Sequence, residues 1–195
     1  MFGPRPFILA SASPRRRDLL GERGFAFEVI PAHADETVQS TPQATVIGNA
    51  RRKAAAIAAG RPDALVLGVD TEVWFGGRIF GKPADLEDAL RMLRELNGRT
   101  HEVYSGVCLT WNAGANEHTF VEVTHVHFHE RTDSELRSYL ARIGPLDKAG
   151  AYAAQDDRGE MIARVEGSYS NVIGLPMEAL EKALKQIGWE VPGSR

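Results

Sequence analysis

Short apolar runs alternate with helical patterns along this chain of 195 residues, and that alternation constrains its fold most strongly. The run at 7–10 ends abruptly in Ser-Ala-Ser-Pro, and a charged helical pattern follows it. A second run, at 64–69, is apolar throughout and leads into Asp70. Apolar runs of this length, bounded by turn residues, are typical of buried strands. Strands and helices mix without a Ser/Gly linker or a repeat. This predicts one α/β domain, residues 1–195, around a mixed sheet, with a division into two lobes left open.

The pattern also predicts where the individual elements lie. Strands are expected at 7–10, 26–30, 64–69, 72–75, 78–80, 101–111, 117–129 and near 161–165. Helices are expected at 14–23, 42–59, 86–96, 133–142 and 176–187. Asp85 is the expected N-cap of the third helix.

The charge and the cysteine content of the chain limit which partners it is expected to bind and which cellular compartment it is expected to occupy. The chain carries 23 Lys+Arg against 26 Asp+Glu, a net charge of −3, which offers no general field for a nucleic acid or an anionic membrane. No apolar run approaches the roughly 18 residues that a membrane span needs. The single cysteine, Cys108, lies in a buried-strand pattern and is interpreted as an inert core thiol. We therefore expect a cytoplasmic protein that binds neither nucleic acid nor membrane.

Residues 11–17 combine polar and basic side chains where a strand leads into a helix. Ser13 is the expected N-cap, and Pro14 takes the first helical position. Backbone N–H groups point outward at such a helix N-terminus, at the positive end of the helix dipole. Three arginines are unfavourable there without an anion, so the segment favours phosphate binding. A capping serine with a solvated basic face is the alternative.

Asp70 is the second candidate for chemistry, because it ends the apolar run at 64–69. Ligand sites in α/β sheets gather where strands end. The carboxylate is therefore placed to hold a metal or to activate a water molecule. An aspartate that serves only a turn is the alternative.

The segment 76–83 nearly matches the phosphate loop G-x-x-x-x-G-K-[ST], but it ends in Pro83. Proline supplies neither a hydroxyl nor an N–H group, and the residues before it are typical of a hairpin. We therefore reject a phosphate-loop enzyme. Lys82 remains a rigidly presented cation.

Three histidines and two glycine-containing segments leave alternatives open. His125, His127 and His129 share one face of a predicted strand, where a pair could bind zinc. No cysteine or second histidine cluster completes a ligand set, so a polar strand face is favoured. The segments 144–155 and 166–176 are rich in small and polar residues, which suits either close approach to a ligand or simple turns.

Eight short motifs, in order along nearly the whole chain, resemble the Maf family of nucleoside triphosphate pyrophosphatases. They are Leu-Ala-Ser-Ala-Ser-Pro-Arg-Arg at 9–16, Asp-Glu at 35–36, Lys-Ala at 53–54, Gly-Val-Asp-Thr at 68–71, Gly-Lys-Pro at 81–83, Gly-Arg-Thr-His-Glu-Val at 98–103, and the segments 146–155 and 167–176. The resemblance implies an elongated α/β fold with a central cleft, commonly found as a homodimer. It also implies hydrolysis of a nucleoside triphosphate between its α and β phosphates, with help from magnesium or manganese.

The resemblance assigns roles by position. Asp70 matches the proton acceptor, and Glu36 an acidic position that shares the metal ion with Asp70. Polar and basic positions around the triphosphate correspond to Ser11, Arg16, Lys53 and Lys82. Positions tied to base choice correspond to Arg15, Thr71 and Gln155. The wording Asp-Thr and Ala-Gly-Ala-Tyr-x-x-Gln looks like the dTTP/UTP subfamily.

The sequence leaves three other functions open. They are a pyrophosphatase for 7-methyl-GTP or another noncanonical nucleotide, a nucleotide-binding regulator of septum formation, and a zinc hydrolase built on the three histidines. The chain also departs from the family pattern, with Arg52 where a glutamate is usual and Glu72 where an apolar residue is usual. We expect the Glu72 side chain to face away from Asp70.

Overall fold

The computed structural model describes residues 5–190, which form seven strands and six α-helices. The strands are β1 Phe7–Leu9, β2 Glu28–Val29, β3 Leu65–Phe75, β4 Arg78–Phe80, β5 Thr100–Trp111, β6 Asn116–Phe128 and β7 Ile162–Glu166. The helices are α1 Pro14–Glu22, α2 Pro42–Ala58, α3 Leu86–Leu96, α4 Asp133–Ile143, α5 Tyr169–Ile173 and α6 Met177–Gln186. Within these residues, no helix combines the length and apolar character that a membrane crossing requires.

The strands form one mixed sheet in the order β2-β1-β3-β5-β6-β7, with β4 paired to β3. β1 runs parallel to both β2 and β3, whereas β4 is antiparallel to β3 and β7 is antiparallel to β6. The predicted α/β class with a mixed sheet is therefore confirmed. Gly76 and Gly77 both have positive φ, +58° and +82°, as a tight two-residue hairpin requires. The segment 76–83, which nearly matches a phosphate loop in sequence, thus begins with the predicted hairpin turn.

Most predicted boundaries agree with the structure to within a residue or two, and three predictions were wrong or incomplete. The runs predicted at 64–69 and 72–75 form the single strand β3, because the strand continues through the polar residues Asp70 and Thr71 between them. The strand predicted at 26–30 shrinks to the two residues of β2. The short helix α5 and three 3-10 turns, Pro145–Asp147, Ala149–Ala151 and Ala154–Asp156, lie in segments where periodicity predicted only irregular chain.

The chain divides into two compact units. The first comprises the described part of residues 1–70, together with 105–122 and the described part of 174–195. Its core packs small side chains of α2 against β1 and β3, with Cys108 among them. The buried residues of this cluster are Ile8, Ala10, Ala50, Ala54, Ala58, Ala64, Val66 and Cys108. Because alanines line the helix, its backbone can come close to the sheet.

The second unit comprises residues 71–104 and 123–173. Its core is built from larger aliphatic and aromatic side chains of α3, α4 and the strand segments of this unit. Asp85 caps α3 by accepting from the N–H of Asp88, as predicted. Thr132 and Glu135 form a capping box at the start of α4. The single-domain boundaries, the elongated shape and the central cleft remain predictions.

Candidate active site in the first unit

Two glycines allow α2 to lie directly against the sheet. A Cβ atom on Gly68 of β3 would lie 2.2 Å from the carbonyl oxygen of Ala50 and 2.8 Å from the nitrogen of Ala54. A Cβ atom on Gly106 of β5 would lie 2.4 Å from the carbonyl carbon of Val46. Only glycine fits at such distances. This close packing brings the polar residues of α2 within hydrogen-bonding distance of Asp70.

Asp70 is a buried carboxylate in β3, 3% exposed, and each of its oxygens has a partner on α2. Lys53 Nζ lies 2.6 Å from Oδ1, and the Asn49 amide donates to Oδ2 at 2.8 Å. An isolated buried carboxylate is costly, whereas a paired and hydrogen-bonded one is tolerated. The structure therefore places Asp70 in the charged surroundings that suit a general base or a metal ligand.

Glu36 forms an ion pair with the same lysine, Lys53. Its Oε1 lies 2.7 Å from Lys53 Nζ, and its side chain is 49% exposed where that of Asp70 is 4% exposed. Carboxylate oxygens of Glu36 and Asp70 lie within 4.8 Å of one another. Hard oxygen donors at this separation are the ligands that magnesium or manganese prefers. The donor set therefore fits a divalent cation.

The expectation for Glu72 was wrong. Side chains alternate along a strand, so residues two apart, such as Asp70 and Glu72, lie on the same face of β3. A Glu72 carboxylate oxygen lies within 4.8 Å of one from Asp70. Only the immediate neighbour, Thr71, alternates to the opposite face from Asp70. Glu72 therefore adds negative charge beside Asp70.

Ser11 and Arg16 lie together at the start of α1. Ser11 is buried, and its hydroxyl accepts from the backbone N–H of Ser13 and from Arg16 Nη1 at 3.0 Å. Arg16 Nε also donates to the carbonyl of Gly174 at 2.9 Å. Ser13 takes the predicted N-cap position before Pro14, although its own side chain makes no capping hydrogen bond. The cation of Arg16 is thus held in place at the positive end of the α1 dipole.

The remaining predicted site residues are placed as follows. Arg15 is half-buried in the first turn of α1, and Thr71 is half-buried beside Asp70 on β3. Thr71, Lys82 and Gln155 belong to the second unit. There Lys82 is exposed after β4, where the carbonyl of its neighbour Gly81 accepts from the N–H of Gly150 at 3.1 Å. Gln155 is exposed in the last 3-10 turn.

Asn49 is a residue of the site that the sequence did not single out, and Arg52, noted there only as a departure from the family pattern, also reaches the site. Asn49 is 2% exposed and contacts Asp70 directly. Arg52 Nε donates to the carbonyl of Asp35, beside Glu36, at 3.1 Å. A signal existed for Asn49, since it lies four residues before Lys53 and hence on the same helix face. A polar residue among the alanines of that face indicates a buried polar partner.

The structure also shows the contacts of three further residues that were considered as candidates, Cys108, His125 and His127. Cys108 is buried, which confirms its predicted place in the core, and burial raises the pKa of its thiol to about 12, as suits an inert thiol. His125 lies 3.3 Å from Glu102, and His127 contacts Thr100, Arg164 and Glu166. These polar contacts agree with the polar strand face that was favoured for the histidines.

The chain is similar over nearly its full length to several proteins that share one name. A protein from Pelotomaculum thermopropionicum named dTTP/UTP pyrophosphatase is 45% identical over 189 residues, which cover 96% of this chain and 99% of that protein. Proteins of the same name from Anaeromyxobacter dehalogenans and Bacillus anthracis are 46% and 42% identical, and each comparison covers at least 95% of both chains. Residues 6–187 match the family model described as Maf-like protein. Because this match and the full-length relatives agree, the chain belongs to the Maf family.

Proposed function

We propose that this protein is a nucleotide pyrophosphatase that hydrolyses dTTP and UTP to the nucleoside monophosphate and pyrophosphate. The observation that carries the proposal is the buried carboxylate of Asp70, held between Lys53 and Asn49 and close to Glu36. The names of the relatives, which match over nearly their whole length, support the same activity and the same bases.

Asp70 acts as the general base in the proposed reaction. It takes a proton from a water molecule, whose oxygen then attacks the α-phosphorus. A bond forms between that oxygen and phosphorus, and the bond from phosphorus to the oxygen that bridges to the β-phosphate breaks. The leaving group departs as pyrophosphate.

Basic and polar residues bind the triphosphate. Ser11 and Arg16 supply donors at the N-terminus of α1, where the helix dipole favours anions. Lys53 and Lys82 add positive charge, since stabilisation of a phosphoryl transition state is mainly electrostatic. Lys53 exchanges one of its present partners for a phosphate oxygen, and the exposed Glu36 is the partner that it releases most easily.

Glu36 and Asp70 would hold the divalent cation, magnesium or manganese. Such an ion offsets negative charge on the attacked phosphoryl group when it is bound. Arg15, Thr71 and Gln155 select the base. We further propose that the protein works in the cytoplasm as a homodimer. Its single, buried cysteine fits a reducing compartment.

The test is pyrophosphate release from purified protein with dTTP, UTP, CTP, 7-methyl-GTP, dATP and dGTP. Each nucleotide is assayed with magnesium, with manganese and with a chelator. We expect metal-dependent release that is strongest with dTTP and UTP. Thr71→Asn and Gln155→Glu should weaken that preference, and a pyrimidine preference that survives both changes would remove these residues from base selection.

Two other results would redirect the assignment. Release from 7-methyl-GTP alone would retain the role of Asp70 but change the substrate class. Binding of nucleotides without release of pyrophosphate from any of them would favour the nucleotide-binding regulator.

A further inference from the structure

Asn49 is a buried polar residue whose contacts converge on the reacting carboxylate. It lies on α2 one turn before Lys53, and its side chain reaches both β3 and the segment that carries Glu36. Its neighbours on the buried face of α2 include Val46 and Ala50, which are fully buried. A buried carboxamide lowers the stability of the fold unless all of its polar atoms form hydrogen bonds.

The partners of Asn49 determine how its amide is oriented. Its Nδ2 donates to Asp70 Oδ2 at 2.8 Å, and its Oδ1 accepts from the backbone N–H of Thr37 at 2.9 Å. Oδ1 also accepts from the guanidinium of Arg52. An ionised carboxylate only accepts, whereas a backbone N–H and a guanidinium only donate. The opposite amide orientation would therefore lose all three hydrogen bonds.

We propose that Asn49 is a positioning residue for Asp70 in the pyrophosphatase reaction; this inference rests on the proposed function. Lys53 holds Oδ1 of Asp70 and Asn49 holds Oδ2, so the carboxylate cannot turn about its Cβ–Cγ bond without breaking one contact. Each carboxylate oxygen has two lone pairs. The anchored group therefore keeps acceptor capacity for the proton of the attacking water.

The same side chain also ties Asp70 to the segment of Glu36. Thr37 follows Glu36 directly, and its backbone N–H is held by Asn49. Arg52 strengthens this link, because it donates to the carbonyl of Asp35 at 3.1 Å and to the hydroxyl of Thr37 at 2.5 Å. Asn49 thus sets the position of the base and of the second carboxylate together. Misplacing a reacting group by about 1 Å can cost on the order of 100-fold in rate.

The experiment compares Asn49→Leu with a matched change on the same helix. Leucine has nearly the shape of asparagine but lacks its amide. The control is Thr45→Val, because Thr45 is 1% exposed and its hydroxyl also anchors the segment before α2, accepting from the N–H of Gln39 at 2.8 Å. The control therefore removes an anchor of that segment without touching Asp70.

We expect Asn49→Leu to lower kcat for dTTP by about 10-fold to 100-fold while KM changes less than about threefold, as loss of a supporting partner commonly does. Thr45→Val should keep kcat within about threefold of the wild type. In the Asp70→Asn background, Asn49→Leu should cause a smaller loss than in the wild type, because only its link to the segment of Glu36 is left to break.

The outcomes separate the inference from the proposed function. An active wild type with unchanged kcat in Asn49→Leu overturns the inference alone, and so does an equal loss in Thr45→Val. A wild type that releases no pyrophosphate from any nucleotide overturns both. Circular dichroism and thermal melting verify that each variant is folded. Asn49→Ala replaces Asn49→Leu if the leucine variant does not fold, with the same expected kcat loss.

Discussion

Asp70 in the first unit and His101 in the second are both buried titratable groups, yet their surroundings differ. Asp70 is 3% exposed and has a charged partner in Lys53 and a donor in Asn49. His101 is 1% exposed, contacts the rings of Phe128 and Tyr152 edge-on, and pairs through Nε2 with the Tyr152 hydroxyl at 3.0 Å. Burial lowers the pKa of His101 to about 3, so it is neutral at physiological pH. Burial alone therefore does not make a reactive site; the partners of the buried group decide.

The largest expected effect tests Asp70, the proposed base. Asp70→Asn removes the proposed base but keeps the shape of the side chain, so kcat should fall by about 100-fold to 10,000-fold. Nucleotide binding should persist, because Ser11 and Arg16, the proposed phosphate donors at the start of α1, are untouched. Steady-state kinetics and equilibrium titration with dTTP measure the two quantities. Asp63→Asn, at an aspartate whose side chain is 65% exposed, should behave as the wild type; an unaffected kcat in Asp70→Asn would exclude Asp70 as the base.

The next effect tests the packing that brings partners to Asp70. Gly68→Ala would place a methyl group 2.2 Å from the carbonyl oxygen of Ala50 and force α2 away from β3. We expect a loss of about 1–3 kcal/mol in the free energy of unfolding, as overpacked cores show, together with lower kcat. Urea denaturation and the pyrophosphate assay measure both. Gly21→Ala in α1 is the matched control, since a Cβ there meets nothing within 4 Å; equal behaviour of the two variants would contradict close packing at Gly68.

The third prediction tests the neutral member of the comparison. The folded protein holds His101 with its pKa near 3, whereas the unfolded chain takes up a proton near pH 6.5. Stability contributed by His101 is therefore present above pH 6.5 and is lost at about 1.4 kcal/mol per pH unit as pH falls toward 3. His101→Gln should remove this dependence. The free energy of unfolding of the variant should then change less steeply with pH between 6.5 and 3, by about 1.4 kcal/mol per pH unit.

The control for His101 keeps the imidazole and removes its partner. Tyr152→Phe should lower the free energy of unfolding by about 1–3 kcal/mol at every pH, because His101 loses its hydrogen bond. The slope below pH 6.5 should remain that of the wild type. A wild-type slope in His101→Gln would show that burial of this histidine does not govern the acid stability.

The smallest expected effect shows how little an exposed hydrogen bond contributes. Thr132→Ala removes the capping box of α4 and should cost about 1 kcal/mol of unfolding free energy, with kcat unchanged. Thermal melting measures the cost. Ser138→Ala, which removes an exposed hydroxyl that bonds back to Ser134 on the same helix, should change stability by less than about 0.5 kcal/mol. Equal losses in both variants would contradict a capping role for Thr132.

Local sequence signals predicted the regular elements well and the irregular ones poorly. α3 was predicted with both ends correct, because Asp85 marks its start and the following apolar spacing is helical. The 3-10 turns between 145 and 156 were missed, since their chain direction depends on contacts such as that of Gly150 with Gly81. The sequence motifs singled out Asp70, Lys53 and Glu36, but not Asn49, whose role depends on a residue 21 positions away.

The sequence by itself determined the α/β class, the hairpin at Gly76 and Gly77, and the family to which the chain belongs. These follow from periodicity, turn chemistry and ordered short motifs, all of which are local properties of the chain. Only the tertiary structure decided which groups share the carboxylate of Asp70, because that depends on how closely α2 packs against β3 at Gly68. Distances of a few tenths of an ångström between distant segments distinguish a hydrogen bond from an unpaired buried group, and no local pattern encodes them.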